Sequence, residues 1–145
     1  MSKLFLIRGL PSSGKSTLAK TLNCLHLEAD MFFLRNGQYC FDATKLQEAH
    51  NWCQQATMEA LNSGVDVVVS NTFTRLWELD PYLKMATKFG AKVHVFRTTR
   101  QYQGNLHNVP EHAIAAMKAR FEDYSKEDLI DTGFFNASDV EGCKE

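Results

Sequence analysis

The chain has no excess of charge of either sign: 16 Lys and Arg stand against 17 Asp and Glu in 145 residues, a formal net charge of −1. That excludes the general electrostatic pull by which strongly basic proteins collect on nucleic acid, so a nucleic-acid ligand needs a local basic patch. It has no paired-cysteine motif. Cys24, Cys40, Cys53 and Cys143 are widely spaced with no C-x-x-C among them. This argues against a zinc site and for reduced, mostly buried thiols in a cytosolic setting. It has no apolar run long enough to cross a membrane and no signal-peptide pattern before its first strand. Repeats and low-complexity tracts are absent as well. The expected setting is cytoplasmic, with no membrane contact, and no feature asks for an obligate protein partner. What remains is an ordinary globular composition, 44% hydrophobic and 23% charged. The expectation is one domain, 1–145, whose residues 125–145 form a partly ordered tail.

Against these absences, the first seventeen residues are dense in signal. Leu4, Phe5, Leu6 and Ile7 are strand formers. They lead into Gly9-Leu10-Pro11-Ser12-Ser13-Gly14-Lys15-Ser16, which fits G-x-x-x-x-G-K-[ST] at every fixed position. Thr17 to Leu22 then read as helix. The motif therefore lies between a strand and a helix, where its chemistry requires it. Gly9 and Gly14 permit backbone angles that a side chain would forbid. The loop amides and the helix N-terminus together cradle phosphate oxygens. Lys15 is placed to reach the β- and γ-phosphates of ATP, and the Ser16 hydroxyl to hold Mg²⁺. Residues 9–17, Thr17 included, are the expected nucleotide site.

The rest alternates strand and helix. A helix is expected over 15–23, a strand over 25–29 ending at Asp30, and turn material at 36–38. A long helix capped by Asp42 carries Leu46, Ala49, Cys53, Ala56 and Ala60 on one face and stops at Gly64. Val65 to Ser70 reads as a strand covered on both faces. A helix to Phe89 ends at Gly90, and 91–96 is the fourth strand. Residues 97–109 read as a loop or lid, and Pro110 opens a helix running to about Tyr124 with Ile114, Met117 and Phe121 on one face. Beyond Ser125 the pattern weakens, with Leu129-Ile130 and Phe134-Phe135 folding back onto the body. The fold class expected is α/β, a P-loop NTPase fold with a mostly parallel sheet and helices on both faces. Ligands of such sheets bind beyond the C-terminal strand ends. Residues 9–16, Asp30, 70–75 and 97–107 meet there.

A phosphate loop marks nucleotide binding, not a reaction. The short chain, the lack of an N-K-x-D guanine signature, and an acid directly after the second strand favour a small kinase. Asp30 is placed to accept the proton of an attacking hydroxyl, although an Asp there also suits a turn or cap. The third strand ends Val69-Ser70-Asn71-Thr72, without the acid that usually holds Mg²⁺ through water. The ion is then expected on Ser16, phosphates and water, or with help from Asp30. Arg97 and Arg100, with Arg35 and Arg75 nearby, are candidates to steady the transferred phosphoryl group, though each singly also suits a solvated surface. His107 is read as a hydrogen-bonding lid residue, and Trp77 and Phe73 as core or as stacking platforms for a base.

The runs G-L-P-S-S-G-K-S-T, E-A-D-M-F-F, E-A-H-x-W-C, S-N-T-F-T-R-x-W-E and N-L-H-N-V-P…M-K-A-R-F-E resemble the small AAA-type P-loop kinases related to polynucleotide kinase, over about residues 3–124. Phage members of that group phosphorylate 5-hydroxymethyluracil in DNA, and others the 5′-hydroxyl of DNA or RNA. The resemblance implies that Lys15 and Ser16 bind ATP·Mg²⁺, that Asp30 is the general base, that DNA is the acceptor, and, if phage-encoded, that the protein works in the host cytoplasm. The chain departs from those relatives at Ser70-Asn71-Thr72-Phe73, where they carry an acid, and at Gln103 and Gly104, where they often carry arginines, which moves the lid role to Arg100. A small-molecule kinase acting on a nucleoside, sugar or antibiotic and a nucleotide-binding switch without an acceptor are the competing readings.

Overall fold

A computed structural model describes residues 2–35, 37–99 and 109–132, with the side chain of Arg35 excepted. Arg100, Gln103, Gly104 and His107, most of the expected lid, and residues 133–145 lie outside the described residues.

Strand β1 (Lys3–Arg8) is the middle of a five-stranded sheet whose order runs β2 (Leu25–Leu27), β5 (Val67–Asn71), β1, β6 (Lys92–Thr98), β7 (Glu127–Ile130). Every pairing in it is parallel. Successive side chains of β1 serve opposite faces. Leu4 and Leu6 join Val67 and Val69 of β5 (Val67–Asn71) under Ala49, Cys53 and Leu61 of α2 (Leu46–Asn62) and Tyr82, Met85 and Ala86 of α3 (Asp80–Phe89). Phe5 and Ile7 join Val68 and Phe96 under Leu18, Ala19 and Leu22 of and just after α1 (Lys15–Thr21). Both faces are covered, so β5 reads as an unbroken apolar run. Each fully buried Leu, Ile, Val, Phe or Met among them contributes about 1.5–3 kcal/mol relative to an exposed one.

Several boundaries differ from the expectation, each for a local reason. α1 stops at Thr21 because Asn23 turns left-handed, φ 54°. β2 is short (Leu25–Leu27), and Ala29–Phe33 form a 3-10 turn where a strand end is expected. That turn runs into a hairpin of β3 (Leu34–Arg35) and β4 (Gln38–Tyr39). Asp42 does cap, but it caps a 3-10 turn, Ala43–Lys45, accepting from the Thr44 amide at 3.0 Å, and α2 begins only at Leu46. Leu46 itself is exposed, and Thr57 takes a buried place, its hydroxyl donating back to the Cys53 carbonyl at 2.7 Å. β6 (Lys92–Thr98) is longer than expected and takes in Arg97 and Thr98, so these two residues belong to the sheet and not to the lid. α4 (Glu111–Arg120) begins directly after Pro110 and ends four residues early, where Phe121 becomes extended. Cys53 is buried, Cys24 half-buried and Cys40 exposed, so only one of the three described thiols is fully buried.

The largest departure is β7 (Glu127–Ile130). The stretch expected to begin a tail is an edge strand, pairing Val95–Thr98 in parallel. It is fastened by charge as well as by apolar packing. Arg8 is fully buried. Its Nη1 donates to Glu127 Oε1 at 2.6 Å, its Nε and Nη2 donate to the Phe73 carbonyl at 3.1 and 2.7 Å, and its guanidinium lies 4.6 Å from the Phe121 ring centroid. Ile130 adds its side chain to the α1 face of the core.

Candidate nucleotide and acceptor site

The loop after β1 crosses the C-terminal edge of the sheet, as the strand order dictates. Its two fixed glycines are required by space as well as by backbone. A Cβ on Gly9 would sit 2.0 Å from Thr98 Oγ1 and 2.6 Å from Ser13 Oγ. Gly14 has φ +91°, and a Cβ there would meet Thr132 Oγ1 at 2.2 Å. Ser13 and Thr98 share a hydroxyl–hydroxyl hydrogen bond, and Thr132 Oγ1 donates to the Ser13 carbonyl at 3.0 Å. The Gly9 amide donates to the Thr72 carbonyl at 3.2 Å. The loop is thus braced from β5, β6 and the residue just past β7, and Gly14 opens directly into α1, whose N-terminus favours anions.

Lys15 folds back over the loop, its Nζ donating to the carbonyls of Gly9 (3.0 Å) and Leu10 (2.9 Å). Burial lowers its pKa from 10.5 to about 8, while the negative charges of Glu28 and Asp30 work the other way. The cation is held on the loop carbonyls, and phosphate oxygens on the loop would favour its charged form again.

The carboxylate nearest the loop was not among the expected site residues. Ser16 Oγ donates to Glu28 Oε1 at 2.8 Å, and Ser70 Oγ donates to the same oxygen at 2.9 Å. His26 Nε2 lies 3.1 Å from it and 2.7 Å from Ser70 Oγ. The register explains the meeting: β2 pairs β5 with Leu27 opposite Val69, so the next residue on each strand brings Glu28 beside Ser70. Burial alone would raise the Glu28 pKa. The hydrogen bonds from His26, Ser16 and Ser70 and the charge of His26 outweigh it, and the pKa falls to about 2. The alternation of Leu25, His26, Leu27 and Glu28 was the available signal, since it puts His26 and Glu28 on one side of β2 at the ligand end of the sheet.

Asp30 lies two residues on, exposed on the rim. The Ala29 amide donates to Asn71 Oδ1 at 3.0 Å and so fixes the backbone between the two acids to the end of β5. The Tyr39 hydroxyl, from the hairpin, donates to Asp30 Oδ1 at 3.1 Å. Its partial burial and the negative charge and hydrogen bond of Asp30 push its pKa up to about 12, so it remains a donor. Around Asp30 the hairpin gathers rings. Phe33 is buried edge-on to Phe41 at 5.1 Å, while Tyr39 and Phe41 stack at 6.4 Å and are both about half exposed.

The arginines are placed differently from the acids. Arg97 extends from β6 to Asp123 in a short ion pair, lies 3.4 Å from Glu127 Oε2, and stacks 4.2 Å from the Phe121 centroid. Arg75 is half exposed, with Glu122 at 4.0 Å. Phe73 is buried in the core, whereas Trp77 is 68% exposed. On the β6 flank of the phosphate loop, Gly9, Leu10, Arg97, Thr98, Lys118 and Phe121 line a cleft of about 350 Å³. The acids and the cleft flank the loop on opposite sides.

The chemistry of these residues fits a magnesium nucleotide. The loop supplies amides and a cation to phosphates, and Ser16 and Glu28 supply hard oxygens beside it. Among the described residues no group of three or more His, Cys, Asp or Glu could hold a metal by itself. A cation held here would draw its remaining ligands from phosphate and water. No helix among the described residues is long and apolar enough to cross a membrane.

Comparison with known proteins agrees with this architecture. The model of a protein family described as AAA domain matches residues 4–124. NEDD4-binding protein 2 of Homo sapiens is 33% identical over 141 residues, covering 88% of this chain and 8% of that protein. An uncharacterized protein of Pasteurella multocida (strain Pm70) is 29% identical over 135 residues, covering 81% of this chain and 75% of that one. The chain thus spans under a tenth of the human relative's length and three quarters of the bacterial one's. Among solved structures, a putative kinase from Chloroflexus aurantiacus aligns at TM-score 0.69 and 14% identity over 95% of this chain and 94% of that one. An unliganded sugar kinase from Janibacter sp. HTCC2649 aligns at TM-score 0.67 and 13% identity over 96% and 90%. At such identity the likeness is one of fold: the expected P-loop NTPase architecture, a parallel five-stranded sheet with helices on both faces.

Proposed function

The chain belongs to the AAA domain family, and from that footing we propose that it is an ATP-dependent kinase that phosphorylates an alcohol hydroxyl. The observation that carries this is Asp30: an exposed carboxylate on the sheet's ligand rim, close enough to the phosphate loop for its charge to act on Lys15. In this reading ATP supplies the phosphoryl group and Mg²⁺ screens its charge. The loop amides and Lys15 hold the phosphates, and Ser16 takes a position on the ion. Asp30 accepts the proton of the acceptor hydroxyl as its oxygen bonds to phosphorus, and ADP leaves. The cleft on the other flank of the loop is the place for the nucleoside half of ATP.

The acceptor we infer is a hydroxyl on nucleic acid, with DNA as the partner. Tyr39 and Phe41 offer exposed ring faces beside Asp30, on which a base can stack for about 1–3 kcal/mol. The two described arginines of the expected basic face, Arg75 and Arg97, are each engaged by carboxylates. Recognition then rests on the base more than on the strand's phosphates. That favours the hydroxymethyl group of 5-hydroxymethyluracil in phage DNA over a 5′-hydroxyl. The same neutralised arginines suit a small uncharged acceptor, which is the second reading.

The test is transfer of labelled γ-phosphate to three acceptors in parallel: DNA carrying internal 5-hydroxymethyluracil with its 5′ ends already phosphorylated, unmodified DNA with free 5′-hydroxyls, and the free hydroxymethyl nucleoside. Label in the first is expected. Label confined to the second or third reassigns the acceptor to an end or a small molecule. ATP hydrolysis indifferent to all three points to a nucleotide switch. Asp30→Asn should leave ATP affinity unchanged and slow transfer by roughly 10²–10⁴-fold. Transfer at the parent rate would remove Asp30 from the mechanism.

A further inference from the structure

P-loop enzymes that hold Mg²⁺ through an acid commonly place it at the end of the strand beside β1, which here is β5. In this chain that strand ends in Ser70 and Asn71, and the Ser70 hydroxyl is spent on another residue's carboxylate. We propose that Glu28 stands in for the missing acid, its carboxylate, delivered from the end of the neighbouring strand β2, holding the magnesium of the bound nucleotide through water beside Ser16, with Ser70 and His26 positioning it. This rests on the ATP·Mg²⁺ reading above and adds to it a metal-site residue.

Three observations carry the assignment. First, the residue hydrogen-bonded to Glu28 is Ser16, the motif position whose hydroxyl takes the metal, at 2.8 Å. Second, the geometry is over-determined. Ser16, Ser70 and His26 all converge on one oxygen, Oε1, and Asn71 anchors the following amide, so the carboxylate is held in place before any ligand arrives. Third, the carboxylate stands beside the loop where the phosphates would lie, held there by the Ser16 hydroxyl. An ionised carboxylate beside a phosphate loop repels the polyphosphate. Ser16 and Ser70 both donate to the Glu28 carboxylate, so its oxygen faces the loop as an acceptor. A divalent ion between Glu28 and the phosphates turns that repulsion into attraction, and magnesium's reluctance to shed water suits a contact made through its hydration shell. A purely structural Glu28, present only to pair with His26, would have no reason to face Ser16.

The proposal predicts a sign reversal. Removing the charge should help ATP bind without metal and hurt its binding with metal. The experiment measures ATP affinity of the parent and of Glu28→Gln by displacement of a fluorescent nucleotide, in excess EDTA and in saturating Mg²⁺, with Mn²⁺ binding to the protein–ADP complex followed by EPR. For Glu28→Gln, metal-free ATP should bind several-fold more tightly than to the parent, the gain on adding Mg²⁺ should fall tenfold or more, and Mn²⁺ should be held correspondingly more weakly. Returning an acid to β5 in Glu28→Gln/Ser70→Asp should restore much of the metal dependence, because Ser70 Oγ already lies 2.9 Å from the carboxylate oxygen. Circular dichroism checks the fold of each variant. Should Glu28→Gln not fold, Glu28→Asp, which keeps the charge and shortens its reach, is expected to weaken Mn²⁺ binding. Equal Mg²⁺ enhancement in parent and folded variant overturns the role of Glu28. A parent that binds no nucleotide, or binds it without regard to Mg²⁺, overturns instead the reading on which the proposal stands.

Discussion

Lys15 gives the most quantitative handle on the site. Its ammonium is held against two loop carbonyls with a pKa of about 8 against 10.5 for the free side chain. Burial thus disfavours the charged form in the ligand-free protein. Burial lowers the value, and phosphate oxygens would raise it, so nucleotide binding must be coupled to protonation. At pH 9 most ligand-free molecules carry neutral Lys15, and binding MgATP should take up close to one proton; near pH 7 the uptake should be small, because the lysine is already charged. The sign follows from the free protein having the lower pKa. Affinity is full below pH 8 and declines above it, approaching tenfold per pH unit until the pKa of the complex is reached. Calorimetry at pH 9 in two buffers of different ionisation enthalpy gives the uptake directly, since the ATP phosphates are fully ionised there and contribute no proton. Lys15→Arg retains a charge at every accessible pH and should show no uptake. Zero uptake by the parent at pH 9, or affinity level from pH 7 to 10, would refute the account of Lys15 as a buried cation recharged by phosphate.

Two further substitutions test the frame around the loop. Gly9→Ala puts a methyl group 2.0 Å from Thr98 Oγ1, so the loop must shift away from β6; nucleotide affinity should drop at least tenfold while far-UV circular dichroism stays near the parent's, and unchanged affinity would mean the loop yields freely. Glu127→Ala leaves Arg8 buried without its carboxylate and should cost about 3–5 kcal/mol, seen in thermal melts as a fall of roughly 10–20 °C for a chain of this size; the double variant Arg8→Met/Glu127→Leu should recover part of that loss, and a double variant less stable than the single one would contradict the assignment of the loss to an orphaned charge.

The two residues just named show where a sequence pattern stops being readable. β1, the phosphate loop and β5 were legible because their signals are local: a hydrophobic run buried on both faces, and glycines whose spacing the turn demands. β7 was not, because its inward position is Glu127, which pairs with a fully buried Arg8 119 residues away, while Leu129 faces solvent at 64% exposure. Hydrophobic periodicity is blind to a strand whose core-facing group is ionic. Glu28 escapes a linear motif for a related reason. A linear motif looks for the acid on one strand, whereas the sheet order places β2 directly beside β5, so a carboxylate can move to the neighbouring strand and still face Ser16. Reading the β5 terminus alone finds a missing acid; reading β2 and β5 in register finds it displaced by one strand. The site therefore joins a phosphate loop that any strand–turn–helix reading recovers to a pair of acids, Glu28 and Asp30, separated by a single residue whose amide is tied to Asn71. That hydrogen bond and the one from Ser70 to Glu28 tie this acidic stretch to the end of β5, so the side chains of Ser70 and Asn71, rather than a charge there, are the contribution of that strand to the site.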